Sequence, residues 1–265
     1  MMESVEPQTS PVPIRMMDVS VGSMQDPASA QLKGVNWEVR AGEFWALAGL
    51  QGSGKSDFLM MTAGLMGPLS GSYLLFGEEM PIFDEQRLAE RLRLGLVFEN
   101  GQLLNHLTVR ENIGLPLRYH GNLSQEEAAP AVEAMLEPME LGPWADSTPG
   151  ALGRNWLKRA GLARALMLKP EILLLDNPLA GLDLLHASWW LDFLKQLAKP
   201  RNLIGEQPLT LVVTTADLRP WLEVARQFAI LKDQRMTVVG SRAQLEKSSN
   251  DLVGEVLPSK AQLLT

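Results

Sequence analysis

Gly49–Ser56, reading GLQGSGKS, constrains this chain more than any other segment. It fits the spacing G-x-x-x-x-G-K-[ST], follows the apolar run Phe44–Leu50 and precedes a helical pattern at Ser56–Gly64. A strand that turns through glycines into a helix exposes backbone N–H groups where side chains would stand, and the helix N-terminus adds positive potential. Such a loop cradles phosphate. Gly49, Gln51, Gly52, Ser53 and Gly54 form the cradle, Lys55 reaches toward the β/γ-phosphates, and the Ser56 hydroxyl is the Mg²⁺ ligand. The plain alternative is a glycine-rich turn that binds nothing; the strand–loop–helix context argues against it. Asp57, next in sequence, is unusual for such a loop. A carboxylate about 4 Å from a phosphate costs about 1 kcal/mol per charge pair in water and about 4 at an effective dielectric near 20. Pointed away, it would favour the helix N-terminus by up to about 1 kcal/mol. Both readings of Asp57 stand at this level.

The rest of the pattern gives the fold class. Leu94–Phe98, Ile172–Asp176, Leu209–Thr214 and Phe228–Leu231 are further near-continuous apolar runs of strand length. Runs of that kind suit strands covered on both faces. Helical patterns at Gln125–Met139, Asn155–Leu168 and Leu184–Ala198 lie between them, which predicts an α/β fold with a mostly parallel sheet. Residues 1–13 read as a mobile tail, Lys199–Pro208 as a loop, and 241–265 as a short polar helix and tail. The hydrophobic share of 46% and charged share of 21% are those of a globular chain. A formal net charge of −7 argues against a nucleic-acid partner. The absence of cysteine excludes disulfides, thiolate metal sites and thiol nucleophiles. No apolar run approaches a bilayer span and the start lacks a signal-peptide pattern, so a cytosolic address is expected.

A second acidic site lies at Asp176, where the strand Ile172–Leu175 ends. A carboxylate at the carboxyl end of a strand beside a phosphate loop is suited to Mg²⁺; the lesser alternative, taken alone, is an Asp that opens a turn. Together with the loop, the order of segments resembles the ATP-binding subunits of ABC transporters. GLQGSGKS resembles the first phosphate motif of that family, residues 94–117 its Q-loop stretch, and 157–166 the helix after its signature motif. Residues 170–183 (PEILLLDNPLAGLD) resemble its second phosphate motif and D-loop, and 211–218 sit where a switch histidine is expected. The resemblance implies a P-loop NTPase with a RecA-like core, an N-terminal antiparallel β subdomain and an inserted helical subdomain at about 100–168. These form one ATP-binding domain over 14–240. It also implies ATP and Mg²⁺ as ligands, pairing into a homodimer or heterodimer, and integral membrane permease subunits as partners. The implied location is peripheral, on the cytoplasmic face of the membrane. Asn105–Leu117 looks most like subunits that serve lipid or lipoprotein transport.

The departures from the family fall on the groups that act on the transition state. Asn177 stands where the family has a Glu that polarises water, and an amide cannot accept that proton. Thr215 replaces the switch histidine, and Glu99 replaces the Q-loop glutamine, where it can still ligate a metal but adds charge. The signature segment aligns with Leu152–Trp156, so Gly153, Arg154 and Asn155 occupy positions that cradle the phosphate held by the opposite subunit. Arg154 and Asn155 would obstruct that approach, or Arg154 would supply charge as an arginine finger does. No Tyr, Phe or Trp precedes Leu32 to stack on adenine; Met24 is what that region offers. The expectation is a subunit that binds ATP–Mg²⁺ and hydrolyses it weakly or not at all. The alternatives are an active ATPase working through non-standard residues and a soluble nucleotide-sensing or scaffold protein. His106, His120 and His186 are too scattered for a metal site, and Trp144, Trp156, Trp189, Trp190 and Trp221 are expected mainly in core or interface.

Overall fold

The computed structural model describes residues 12–26, 29–80, 87–247, 254 and 256–257. The tail expected at 1–13 and the terminal segment beyond Lys247 therefore lie mostly outside the described residues. In chain order the elements are β1 (Ile14–Gly22), β2 (Ala30–Val39), β3 (Phe44–Ala48), α1 (Lys55–Thr62), β4 (Ser70–Leu75) and β5 (Glu78–Glu79). There follow α2 (Leu88–Leu92), β6 (Leu94–Val97), α3 (Val109–His120), α4 (Gln125–Leu136), α5 (Arg154–Leu166), β7 (Ile172–Leu175) and α6 (Leu184–Leu197). The last are β8 (Thr210–Thr215), β9 (Gln227–Lys232), β10 (Arg235–Gly240) and α7 (Arg242–Lys247).

The apolar runs become the middle of one sheet, ordered β10-β9-β3-β8-β7-β6, with every pair parallel except β9–β10. Alternate residues of β3 serve two cores. Phe44, Ala46 and Ala48 face the helical side, while Trp45 and Leu47 face α1 and the other sheet. A strand buried on both faces has no polar alternation, which is why it reads as a continuous run. The other sheet, β2-β1-β4-β5, is antiparallel. It packs Ile14, Trp37 and Tyr73 against Phe58 and Leu59 of α1.

Helices α3 and α4 lie between β6 and β7 in sequence, each opened by a capping box: Thr108 with Glu111, and Ser124 with Glu127. Buried Asn112 ties α3 to the preceding loop by accepting from Leu104 N–H and donating to the carbonyls of Leu104, Leu107 and Thr108. Trp190 and Trp221 are fully buried in the helical-side core.

Candidate functional site

Four strand ends meet at one edge of the parallel sheet. The register places Ala48 opposite Thr215, Leu175 opposite Val213 and Val97 opposite Leu175. Thr214 and Thr215 at the end of β8, with Gly49, Asp176, Asn177 and Glu99 just beyond β3, β7 and β6, therefore converge at the carboxyl edge of the sheet, where open α/β folds bind ligands.

The phosphate loop leaves β3 and enters α1 through Gly54, which caps the helix in the left-handed region (φ 81°) with no side-chain cap. Gly52 is also left-handed (φ 80°), and a Cβ there would meet nothing within 4 Å, so the loop opens to solvent at that point. At Gly49 a Cβ would lie 2.6 Å from the Leu231 carbonyl, so only glycine lets β3 turn there. Lys55 Nζ donates to the carbonyls of Gly49 (2.6 Å) and Leu50 (2.8 Å) and to Ser53 Oγ (3.3 Å), wrapping the loop around its own ammonium. Burial holds Lys55 below the ordinary lysine range, and the charges of Asp176 and Glu99 partly offset that. A cavity of about 220 Å³ lies between Gly49–Ser53 and Ile230–Asp233.

Ser56 Oγ donates to Asp176 Oδ2 at 2.7 Å, and Thr214 Oγ1 donates to the other carboxylate oxygen at 2.8 Å. A hydroxyl and a carboxylate held together at a phosphate loop are hard oxygen ligands of the kind Mg²⁺ takes alongside phosphate oxygens. Uncapped N–H groups at α1, an ammonium and this oxygen pair fit a nucleotide phosphate with its divalent ion. Among the described residues no group of three or more His, Asp or Glu side chains forms a separate metal centre.

Asn177 follows in a left-handed conformation (φ 45°), which Asn tolerates better than most side chains. Its backbone N–H donates to Thr214 Oγ1 (3.0 Å) and its side-chain amide donates to Glu99 Oε2 (3.2 Å). Asp57 takes the second of its two readings in part: Oδ1 accepts the Met24 N–H at 3.0 Å, which holds the carboxylate against the β1–β2 connection. Thr215 closes a local turn, its hydroxyl donating to the Asp217 carbonyl (2.9 Å) and accepting the Asp217 N–H (3.2 Å).

The signature segment begins α5. Gly153 is its N-cap and Arg154 is exposed, with its guanidinium packed over Gly181, where a Cβ would lie 2.2 Å from Nη1. Asn155 corrects the expectation of an obstructing surface side chain. It is 5% exposed, and both its amide atoms are buried without a partner. Trp156 is part of an aromatic cluster in which Arg159, paired with Glu140 at 2.6 Å, lies 4.8 Å from the Trp156 ring and 3.6 Å from that of Trp189.

Lys158 escaped the sequence reading. It is 1% exposed, and its Nζ donates to the carbonyls of Asn177 (3.1 Å), Pro178 (3.1 Å) and Ala180 (2.9 Å). One ammonium thereby fixes the whole turn after β7. The available signal was a lysine one helical turn before buried Leu162, on the same face of α5. Thr214 was missed because a hydroxyl inside LTLVVTT reads as ordinary strand composition.

Comparison with known proteins agrees with this geometry. The family described as ABC transporter matches residues 32–180. The sulfate/thiosulfate import ATP-binding protein CysA of Synechococcus elongatus is 36% identical over 231 residues, covering 86% of this chain. The chain spans 63% of that relative's length. The intermembrane phospholipid transport system ATP-binding protein MlaF of Haemophilus influenzae is 28% identical, over 86% of this chain and 84% of its own. A solved dimeric ATP-binding cassette, MJ0796, in a post-hydrolysis state bound to ADP and Pi, superposes with a TM-score of 0.73. It is 29% identical, over 84% of this chain and 95% of the other.

Proposed function

The chain belongs to the ABC transporter family of ATP-binding cassettes, whose domain binds ATP with Mg²⁺; from that premise we propose that it is the nucleotide-binding subunit of a membrane transporter and hydrolyses ATP slowly. One observation carries the kinetic part. The position after Asp176 holds an amide that donates to Glu99 instead of a carboxylate that could take a proton from water. Loss of a positioned base typically costs about 10²–10⁴ in rate. The groups proposed to bind nucleotide keep their residue types: Lys55 donates within its loop, and Ser56 pairs with Asp176 as the ligands proposed for the metal ion. Binding without matching transition-state contacts favours occupancy over turnover.

The proposed partners are permease subunits at the cytoplasmic face of a membrane, with a second cassette across the nucleotide. Among the described residues no helix is long and apolar enough to cross a membrane. A groove of about 300 Å³ between the β6 edge and α3, lined by Leu92, Leu96, Leu115, Pro116 and Tyr119, supports a docked permease helix. Lipid is the substrate that Asn105–Leu117 suggested, and the phospholipid relative supports it. The sulfate relative matches at higher identity, so the proposal rests on the transporter class and not on the cargo.

Calorimetry with ATP–Mg²⁺ and steady-state turnover on the purified full chain test this reading. Nucleotide binding that Lys55→Ala abolishes is expected, with turnover well below about 1 s⁻¹. Turnover at or above that value and dependent on Lys55 would overturn the slow-hydrolysis reading, and absence of binding would overturn the function itself.

A further inference from the structure

Several carboxylates near the carboxyl edge of the sheet are each held by identifiable partners. Asp176 uses both oxygens, one for Ser56 and one for Thr214. Asp57 holds the Met24 N–H. Asp183 caps α6 through the His186 N–H, and Asp217 holds Arg219. Glu99 is different. Its Oε2 receives a single amide hydrogen from Asn177, and its charge acts on both Lys55 and Lys158. The loop that carries it is fixed: Gly101 N–H donates to the Phe98 carbonyl (2.9 Å), and Arg164 Nη2 donates to the Gly101 carbonyl (2.9 Å).

Deepening the reading above, on which this step rests, we propose that Glu99 is the group that accepts the proton of the attacking water, and that Asn177 is its positioning residue. The water oxygen bonds to the γ-phosphorus, and the bond from that phosphorus to the β–γ bridging oxygen breaks. ADP leaves with the bonding electrons, and the water proton passes to Glu99. Carboxylate and amide sit just past the ends of two neighbouring parallel strands, Glu99 beyond β6 and Asn177 beyond β7. The amide of Asn177 cannot take a proton, but it can hold one carboxylate oxygen so that the other is free to face water. The slow rate follows from a base aimed from the neighbouring strand.

The exchange makes a signed prediction about substitutions at both positions. Asn177→Glu alone sets two carboxylates where an amide and a carboxylate are now 3.2 Å apart, and it should not raise turnover. Glu99→Gln should lower turnover by about 10²-fold or more. Its ATP–Mg²⁺ affinity should stay equal or tighten up to about fivefold, because a negative charge near the phosphates is removed. The double variant Glu99→Gln/Asn177→Glu restores an amide–carboxylate pair in the opposite order and should exceed either single variant in turnover. The experiment measures ATP–Mg²⁺ binding by calorimetry and single-turnover hydrolysis for the four proteins. A purely structural role for Glu99 would weaken binding along with turnover. Turnover in Glu99→Gln equal to the parent, or no turnover in the parent, would overturn the proposal while leaving nucleotide binding, and so the function above, intact. Failure of all four to bind ATP would instead overturn the function.

Discussion

A buried lysine that holds three carbonyls at once is an expensive way to fix a turn, and its cost shows in its protonation. Burial lowers Lys158 to about 8 from an ordinary 10.5. Between those values the unfolded chain binds a proton that the folded one does not, so stability rises with pH across that window. Below pH 8 both states are charged and the contribution is constant. Tyr73 acts in the opposite sense. Its buried phenol, donating to the Thr62 carbonyl at 2.6 Å, is pushed well above the ordinary value of 10, so the unfolded chain loses that proton first and stability falls above pH 10. Urea unfolding should therefore show stability rising from pH 8 toward 10. Lys158→Met should remove that rise and cost about 1–3 kcal/mol at pH 7, since the carbonyls of Asn177, Pro178 and Ala180 lose their donor. Identical pH profiles for the two proteins would contradict the assignment. Residues of this kind mark a limit of sequence reading. Lys55 and Ser56 are legible because the loop spacing dictates their task, whereas Lys158 acquires its task only when α5 is laid against the turn after β7.

Elements were legible in proportion to how one-sided their surroundings are. Strands β3, β6, β7, β8 and β9 read directly as apolar runs because both their faces are covered. Strands β4 and β10 did not, since much of each is exposed and its residues alternate weakly. The β9–β10 hairpin turns on Asp233 and Gln234, both left-handed (φ 49° and 59°), where Asn-Gly would have signalled it. Gln234→Gly should thus stabilise the protein by about 0.5–1 kcal/mol in the same urea assay; no gain would mean that the turn carries no backbone strain. A tighter constraint joins α5 to the loop after β6. A Cβ on Gly161 would lie 2.7 Å from Gly101 Cα, so helix and loop touch backbone to backbone. Gly161→Ala should cost about 1–3 kcal/mol by overpacking and should also displace Glu99, two residues from Gly101. If stability falls without any change in single-turnover rate, the loop absorbs the strain before it reaches Glu99.

At the scale of the molecule, the surface that matters most is the one the chain leaves open. Leu184 and Leu185 begin α6 at 91% and 77% exposure, three residues beyond Gly181, on which the Arg154 guanidinium rests. Two adjacent leucines held this far into water, on a chain with a formal charge of −7, are hard to explain by folding alone. The solved relative is a dimer, and we propose that Leu184 and Leu185, near the Arg154–Gly181 contact, contribute to a face that closes on a second cassette. Each leucine buried there contributes about 1.5–3 kcal/mol, a sum that must exceed the entropic cost of association. If ATP–Mg²⁺ supplies the remainder by bridging the two faces, as proposed, the chain alone should be monomeric and the nucleotide-loaded chain dimeric. Leu184→Asp/Leu185→Asp should keep the protein monomeric in light scattering with ATP–Mg²⁺, while calorimetry shows nucleotide affinity within about threefold of the parent, because neither side chain touches the phosphate loop. A dimer that persists in the double variant would place the second cassette elsewhere. Loss of nucleotide binding along with the dimer would mean that ATP is held only between two copies, and that neither phosphate loop suffices alone.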